Sequence, residues 1–251
     1  ERGAQSQRGV ARATAAVGGA SVLADLLQLP PVDVFAHMAC DEALARAQPD
    51  RFCLRFYRWQ GPAATFGYAQ RVREVVATLP PAVGTAYTRR PTGGGVVPHL
   101  HDLTFSCVFP GAGEMRAAVV YRRLHTAIGE GLRGMGLPVE LCARGGSAAP
   151  HLAGGASQCF VQPVTMDIML AGEKVLGGAI RRFGDTVLYQ GSLQLADARE
   201  REVEYQAVVA EAIAKAWGLA GWELCPVPQA VQDAAVALAV RYRSPEWIQR
   251  R

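Results

Sequence analysis

The sequence predicts an α+β domain built on a mixed β-sheet with flanking helices. Two observations lead there. Segments of strand character and segments of helical spacing follow one another irregularly, so the strict alternation of a doubly wound sheet is missing. Half of the 251 residues are hydrophobic, enough for one sizeable core, and no internal repeat divides the chain. The expected organisation is a poorly ordered N-terminal segment over residues 1–30 and one folded domain over residues 31–251.

The elements can be taken in order. Residues 1–20 are rich in Ala, Gly and Arg and nearly free of acids. That composition suits a poorly ordered terminus first, with an organellar leader as the alternative. Residues 33–47 read as a helix: Asp33 is a capping type, and Phe35, Met38, Ala39 and Ala43 recur at helical spacing. The aromatic run 52–59 reads as a strand, Gly61-Pro62 as a turn, and 64–68 as a short strand. Residues 85–90 form a strand that runs into Pro91-Thr92-Gly93-Gly94-Gly95, and 103–109 form a second, bounded by Pro110-Gly111. Residues 116–135 have the spacing of a long amphipathic helix, closed by Gly134 and Gly136. A short strand over 137–142 leads to a loop of small residues over 144–157. Residues 165–170 and 174–181 read as a hairpin around Ala171-Gly172-Glu173, and 186–195 as another strand. Helices are expected over 201–217 and 229–242.

Charge narrows the function. Charged residues make up 19% of the chain and the net charge is +4, which is only mildly basic. The arginines are scattered in pairs, Arg89-Arg90, Arg122-Arg123 and Arg181-Arg182, rather than gathered into a stripe. Such pairs suit a few anionic groups on a small ligand or an acidic protein, and they argue against nucleic acid. No apolar run is long enough to span a membrane. The six cysteines (Cys40, Cys53, Cys107, Cys142, Cys159 and Cys225) form no C-x-x-C pair, so a zinc ribbon or dithiol motif is unsupported and no metal site is expected. Reduced cysteines in apolar runs fit a cytoplasmic protein.

Gly93-Gly94-Gly95 lets the backbone pass close to a ligand, because no Cβ intervenes, and its N–H groups can face an anion. Arg89 and Arg90 stand just before it and could pair with the same anion. Taken alone, a glycine triplet is more readily a plain loop beside surface arginines. It matches neither the phosphate loop ending in Gly-Lys-Ser/Thr nor the dinucleotide fingerprint.

The string RRPTGGGVVPHLHDLTFS closely resembles the signature of the biotin/lipoate protein ligase and octanoyltransferase family. Further segments match in order. Met38 to Leu44 resembles the first helix of that family, Thr65-Phe66-Gly67-Tyr68-Ala69-Gln70 its next strand and turn, and Gly172-Glu173-Lys174-Val175-Leu176-Gly177-Gly178-Ala179 its lysine segment. Tyr189-Gln190-Gly191-Ser192-Leu193 and the stretch from Tyr242 to Trp247 follow. The resemblance covers about residues 30–250. It implies a catalytic fold like that of biotin protein ligase and the class II synthetases.

On that resemblance, Arg89, Arg90, Gly93, Gly94, Gly95, His99, Gly177 and Ala179 would bind the acyl substrate, His99 by orienting a loop. Lys174 would stabilise negative charge on the acyl oxygen. Cys159, upstream of Lys174 in a Cys-Phe pair, resembles the nucleophile of the cysteine-dependent octanoyltransferases. Those enzymes take octanoyl from acyl carrier protein and pass it to a lysine of a lipoyl domain, in 2-oxoacid dehydrogenases or the glycine cleavage H protein, without a cofactor. The third glycine of the triplet, and Asp167, resemble instead the lipoate–protein ligases, which use ATP and Mg²⁺. Two expectations therefore stand beside octanoyl transfer: ATP-dependent lipoate ligation, and a non-catalytic homologue that binds lipoyl domains or an acyl ligand. His101 has no clear counterpart in the family.

Overall fold

The computed structural model describes residues 22–111, 116–143 and 163–250. In chain order its elements are β1 (Leu23–Gln28), α1 (Val34–Arg46), β2 (Cys53–Phe56), β3 (Ala63–Phe66), α2 (Val72–Val76), β4 (Tyr87–Arg89), β5 (Val97–His99) and β6 (Leu103–Pro110). There follow α3 (Ala117–Gly134), β7 (Glu140–Leu141), β8 (Ile168–Leu170), β9 (Glu173–Phe183), β10 (Thr186–Leu193), α4 (Glu202–Trp217), β11 (Gly221–Pro226), α5 (Gln229–Arg243) and α6 (Pro245–Ile248).

Eight strands make one mixed sheet in the order β11-β1-β2-β6-β10-β9-β8-β7. β1 runs parallel to both β11 and β2, and the central strands β2, β6, β10 and β9 are antiparallel. The alternation of side chains along a strand explains why helices cover both faces. Phe105, Cys107 and Phe109 of β6, with Val187 and Tyr189 of β10, join one core with Leu124, Ile128 and Leu132 of α3 and Val209 and Ile213 of α4. Val108 and Leu188, one residue out of phase, join a second core with Cys40 and Leu44 of α1 and Val231 of α5. β10 is buried along its whole length and β6 along all but its last residue, buried polar groups such as Ser106 and Gln190 included. Each fully buried Leu or Phe there contributes roughly 1.5–3 kcal/mol.

A second, three-stranded sheet has the order β4-β3-β5. It carries the glycine segment between β4 and β5. α1 begins where its sequence signal lies: the Asp33 carboxylate accepts the Ala36 N–H at 2.9 Å.

Two expectations are corrected. Residues 23–28 fell within the N-terminal stretch expected to be poorly ordered, but they form β1, paired on both sides and therefore part of the domain. The strand expected over 137–142 shortens to the two residues of β7, because Gly136 and Pro138 delay its entry into the sheet.

Candidate active site

Two cavities meet over the small residues of β9. The first encloses about 380 Å³ of empty space, its mouth included, between Met38, Tyr57, Thr65, Arg90, His99 and the strip Gly177-Gly178-Ala179. The second, about 880 Å³ and more open, shares Gly178 and Ala179 and is bounded by Gly93, Gly94, Tyr121 and Arg122. Gly and Ala on β9 leave the width that a larger side chain would fill.

Lys174 opens β9 and is buried, with its ammonium 2.8 Å from an Asp167 carboxylate oxygen. Tyr121 donates its hydroxyl to the other oxygen, and the Val164 N–H donates at 2.7 Å. The carboxylate thus holds a cation that would otherwise be costly to bury. Gly177 makes room for it. A Cβ there would stand 2.2 Å from Cε of Lys174 and 2.5 Å from Nζ, so the lysine tip lies against the backbone that walls the first cavity.

The paired arginines part company. Arg90 lines the first cavity and donates to the Gly93 carbonyl at 3.0 Å from Nε and 2.6 Å from Nη2, which shapes the glycine turn. Arg89 lines neither cavity. Its five N–H groups go to five carbonyls, those of Tyr68, Gln70, Trp247, Ile248 and Arg250, at 2.6–3.1 Å. The expectation that Arg89 faces an anion is corrected on this point, since every donor is already committed to protein. Gly93 and Gly94 are exposed on the second cavity, whereas Gly95 is buried and lines neither. Gly94 adopts φ +89, and Gly67 has no side chain because a Cβ there would meet the Gly94 oxygen at 1.8 Å.

His99 ends β5, buried, with its ring stacked on Trp59 at 4.2 Å between centroids. Nδ1 lies 2.9 Å from Asp102 and Nε2 lies 2.9 Å from the Thr65 hydroxyl. Thr104 and Ser192 donate to the same Asp102 oxygen at 2.6 and 2.7 Å. Burial alone would raise the Asp102 carboxyl, but His99 and these hydroxyl donors outweigh it and hold it below its ordinary value. His101 is exposed.

Comparison with known proteins now has a geometry to attach to. A model described as the lipoyl protein ligase A/B catalytic domain matches residues 33–212, well over half of the chain. The chain belongs to that family. Among relatives of the ligase A/B family, the octanoyltransferase LipM of Moorella thermoacetica is 34% identical over 181 residues, 68% of this chain and 64% of that protein. LipM of Symbiobacterium thermophilum is 34% identical over 173 residues, 63% of this chain and 60% of that protein. The chain thus spans less than two thirds of either relative. Solved structures share the fold. A lipoate-protein ligase A bound with ATP superposes with a TM-score of 0.72 at 23% identity, over 91% of this chain and 99% of that one. The bi-partite lipoate protein ligase of Thermoplasma acidophilum gives 0.70 at 19%, over 91% and 96%. The mixed sheet with flanking helices and the ligase-like catalytic fold expected from sequence are therefore both present.

In this ligase A/B domain, the first cavity brings together Arg90, His99, Gly177 and Ala179, and the second adds Gly93 and Gly94. Cys159 lies outside the described residues. Sequence reasoning missed a buried network under the first cavity. Asp41 of α1 pairs with Arg55, accepts from Tyr57, and takes further bonds from Ser106 at 2.7 Å and Gln190 at 2.8 Å. It also missed the Tyr121 bond to Asp167 and the Asp102–His99–Thr65 chain. The available signal was a carboxylate beside apolar residues: Asp41 stands among Met38, Ala39, Cys40 and Leu44 of α1, and Asp102 directly precedes the buried β6.

Proposed function

We propose that this protein moves an octanoyl group from acyl carrier protein to a lysine of a lipoyl domain, through a thioester on Cys159. The observation that carries the reading is the buried Lys174 ammonium packed against Gly177, whose backbone lines the cavity beside Met38, Val97, Gly178 and Ala179. A cation at that wall is suited to an acyl carbonyl whose oxygen gains charge as it is attacked. The names of the LipM relatives support the same reaction.

The chemistry is balanced without ATP. The Cys159 thiolate attacks the carrier thioester, a tetrahedral adduct forms, and the carrier thiol leaves, so one thioester replaces another. The lysine amine of the acceptor then attacks, Cys159 leaves, and the downhill step to an amide completes the cycle. A reducing cytoplasm suits a free nucleophilic thiol.

One observation favours a second reading, ATP-dependent lipoate ligation. Exposed Gly93 and Gly94 share the wider cavity with the Arg122 side chain, a cation beside a glycine turn that suits an anion. Incubation with octanoyl-acyl carrier protein in the absence of ATP, followed by intact mass, separates the two. A stable octanoyl adduct on the wild type and none on Cys159→Ala is the expected result. ATP-dependent modification of a lipoyl domain by Cys159→Ala, without any adduct, would replace transfer with ligation. Binding of both proteins with no transfer would leave a non-catalytic homologue.

A further inference from the structure

Acyl transfer to a lysine raises a question that the acyl site leaves open: what removes the proton from the amine. Lysine is protonated near neutral pH, and its nitrogen must shed protons to end as an amide. Lys174 is unsuited to the task, since it is paired as a cation with Asp167. Three titratable side chains line the first cavity: Tyr57, Arg90 and His99. Arginine stays protonated. The Tyr57 hydroxyl donates to Asp41, and burial pushes its ionisation well above the usual range. The wider cavity adds only Tyr121 and Arg122 among the described residues. The other buried histidines are engaged elsewhere. His37 accepts from Arg55 at 2.9 Å and donates to the Arg58 carbonyl at 3.0 Å. His125 accepts from Tyr189 at 2.8 Å and donates to the Met166 carbonyl at 2.9 Å.

His99 is held as a base. Asp102 is an acceptor, so the proton of the neutral ring sits on Nδ1 and points to it. Nε2 then carries the lone pair, and the Thr65 hydroxyl donates to it at 2.9 Å. Arg90 Nη1 donates to the Thr65 oxygen at 3.4 Å, which leaves the hydroxyl proton for His99. Trp59 fixes the ring twice, by stacking on it and by donating its indole N–H to Thr104 at 3.1 Å, the residue that donates to Asp102. Thr65 and His99 both face the cavity.

Resting on the acyl-transfer reading, we infer that Thr65, His99 and Asp102 form a proton relay that deprotonates the acceptor lysine during amide formation. The acceptor ammonium gives a proton to Thr65 Oγ1 as Thr65 passes its own to His99 Nε2, and the imidazolium rests against Asp102. The freed amine bonds to the acyl carbon, and as the carbon–sulfur bond breaks the departing thiolate takes the second proton from the nitrogen. His99 returns its proton to solvent, so ammonium and thioester become an amide, a thiol and one released proton. Thr65 touches the substrate; His99 and Asp102 act through it.

The test compares two acceptors for the octanoyl group of octanoyl-acyl carrier protein: a lipoyl domain, and hydroxylamine, which is largely unprotonated near neutral pH and needs no base. Hydroxamate formation is counted above the enzyme-free rate. Thr65→Val and His99→Gln are expected to slow lysine acylation by about a hundredfold or more, the usual contribution of general-base catalysis, and to slow hydroxylamine turnover at least about tenfold less. Asp102→Asn should show the same split in weaker form. Because hydroxylamine turnover requires the acyl site, a misfolded variant loses both activities and is recognised as such. Equal loss with both acceptors in a Thr65→Val protein that melts like wild type, or no loss with either, would overturn the relay alone. A wild-type protein that serves neither acceptor would overturn the acyl-transfer reading, and the relay with it.

Discussion

The ammonium of Lys174 lies 2.8 Å from the carboxylate of Asp167, and both side chains are withdrawn from solvent. A buried pair of this kind is costly to break on one side and cheap to replace on both. Asp167→Ala should therefore destabilise the fold by about 3 kcal/mol, because the lysine is left as an uncompensated charge. The double variant Lys174→Met/Asp167→Leu should recover most of that stability in a urea titration while octanoyl transfer stays absent. Recovery of transfer with the double variant would show that the pair serves only the fold.

Gly177 holds the lysine tip in place. A Cβ at this position collides with the tip of Lys174. Moving that tip works against its buried pair with Asp167, so Gly177→Ala should melt below wild type and lose at least about tenfold in transfer rate. Gly93→Ala is the control: no atom lies within 4 Å of the added Cβ, so neither stability nor folding should change. Thermal melts and initial rates on the same preparations check both.

These contrasts show what the chain reveals before it folds. The helix at α1 was legible because its cap is local: Asp33 and the apolar spacing that follows lie within a few residues. β6 and β10 were legible because aromatic and β-branched residues cluster in them beside the turn signals Pro110-Gly111 and Gly184-Asp185. β1 was not. Its residues LADLLQ favour a helix as readily as a strand, and only pairing with β2 and β11 decides between them. β11 carries Glu223 and ends at Pro226 on a sheet edge, so it lacks a strand signal of its own. The site divides in the same way. Lys174 and the glycines sit in short contiguous motifs, as do His99 and Asp102, whereas Thr65 meets His99 from a separate part of the chain. Successive side chains on a strand point to opposite faces, so neighbouring arginines rarely serve one ligand, and sequence alone does not say which of them turns inward.

Arg89 gives the next prediction. It clamps the C-terminal segment around α6 through three hydrogen bonds and holds Tyr68 and Gln70 through two more, and the Trp247 indole donates back to the Arg89 carbonyl at 2.8 Å. Arg89→Met should cost about 3 kcal/mol, the scale of leaving buried acceptors unpaired. Hydrogen exchange at Trp247 and Ile248 should rise with it. The KM for octanoyl-acyl carrier protein should stay near wild type at temperatures where the variant is folded. Arg90→Met should do the reverse, sparing α6 and impairing transfer, because Arg90 shapes the glycine turn at the cavity.

The last prediction concerns acid. Burial drives the His125 imidazole down from 6.5 to about 3, against the bond to Met166 that works the other way, with the Lys174 cation adding to the fall. Burial, with Arg55 beside it, lowers His37 in the same direction. A histidine neutral in the fold but protonated when unfolded favours the unfolded chain once the pH drops below 6.5. The stabilisation is therefore complete above that pH and is lost as the pH falls towards 3, at up to about 1.4 kcal/mol per pH unit for His125. His125→Gln cannot titrate, and it keeps an acceptor for Tyr189 within reach. Urea titrations between pH 7 and about pH 4.5 should show a steep loss of stability in the wild type and a shallower one in the variant. Parallel curves for the two proteins would show that His125 is already protonated in the folded state.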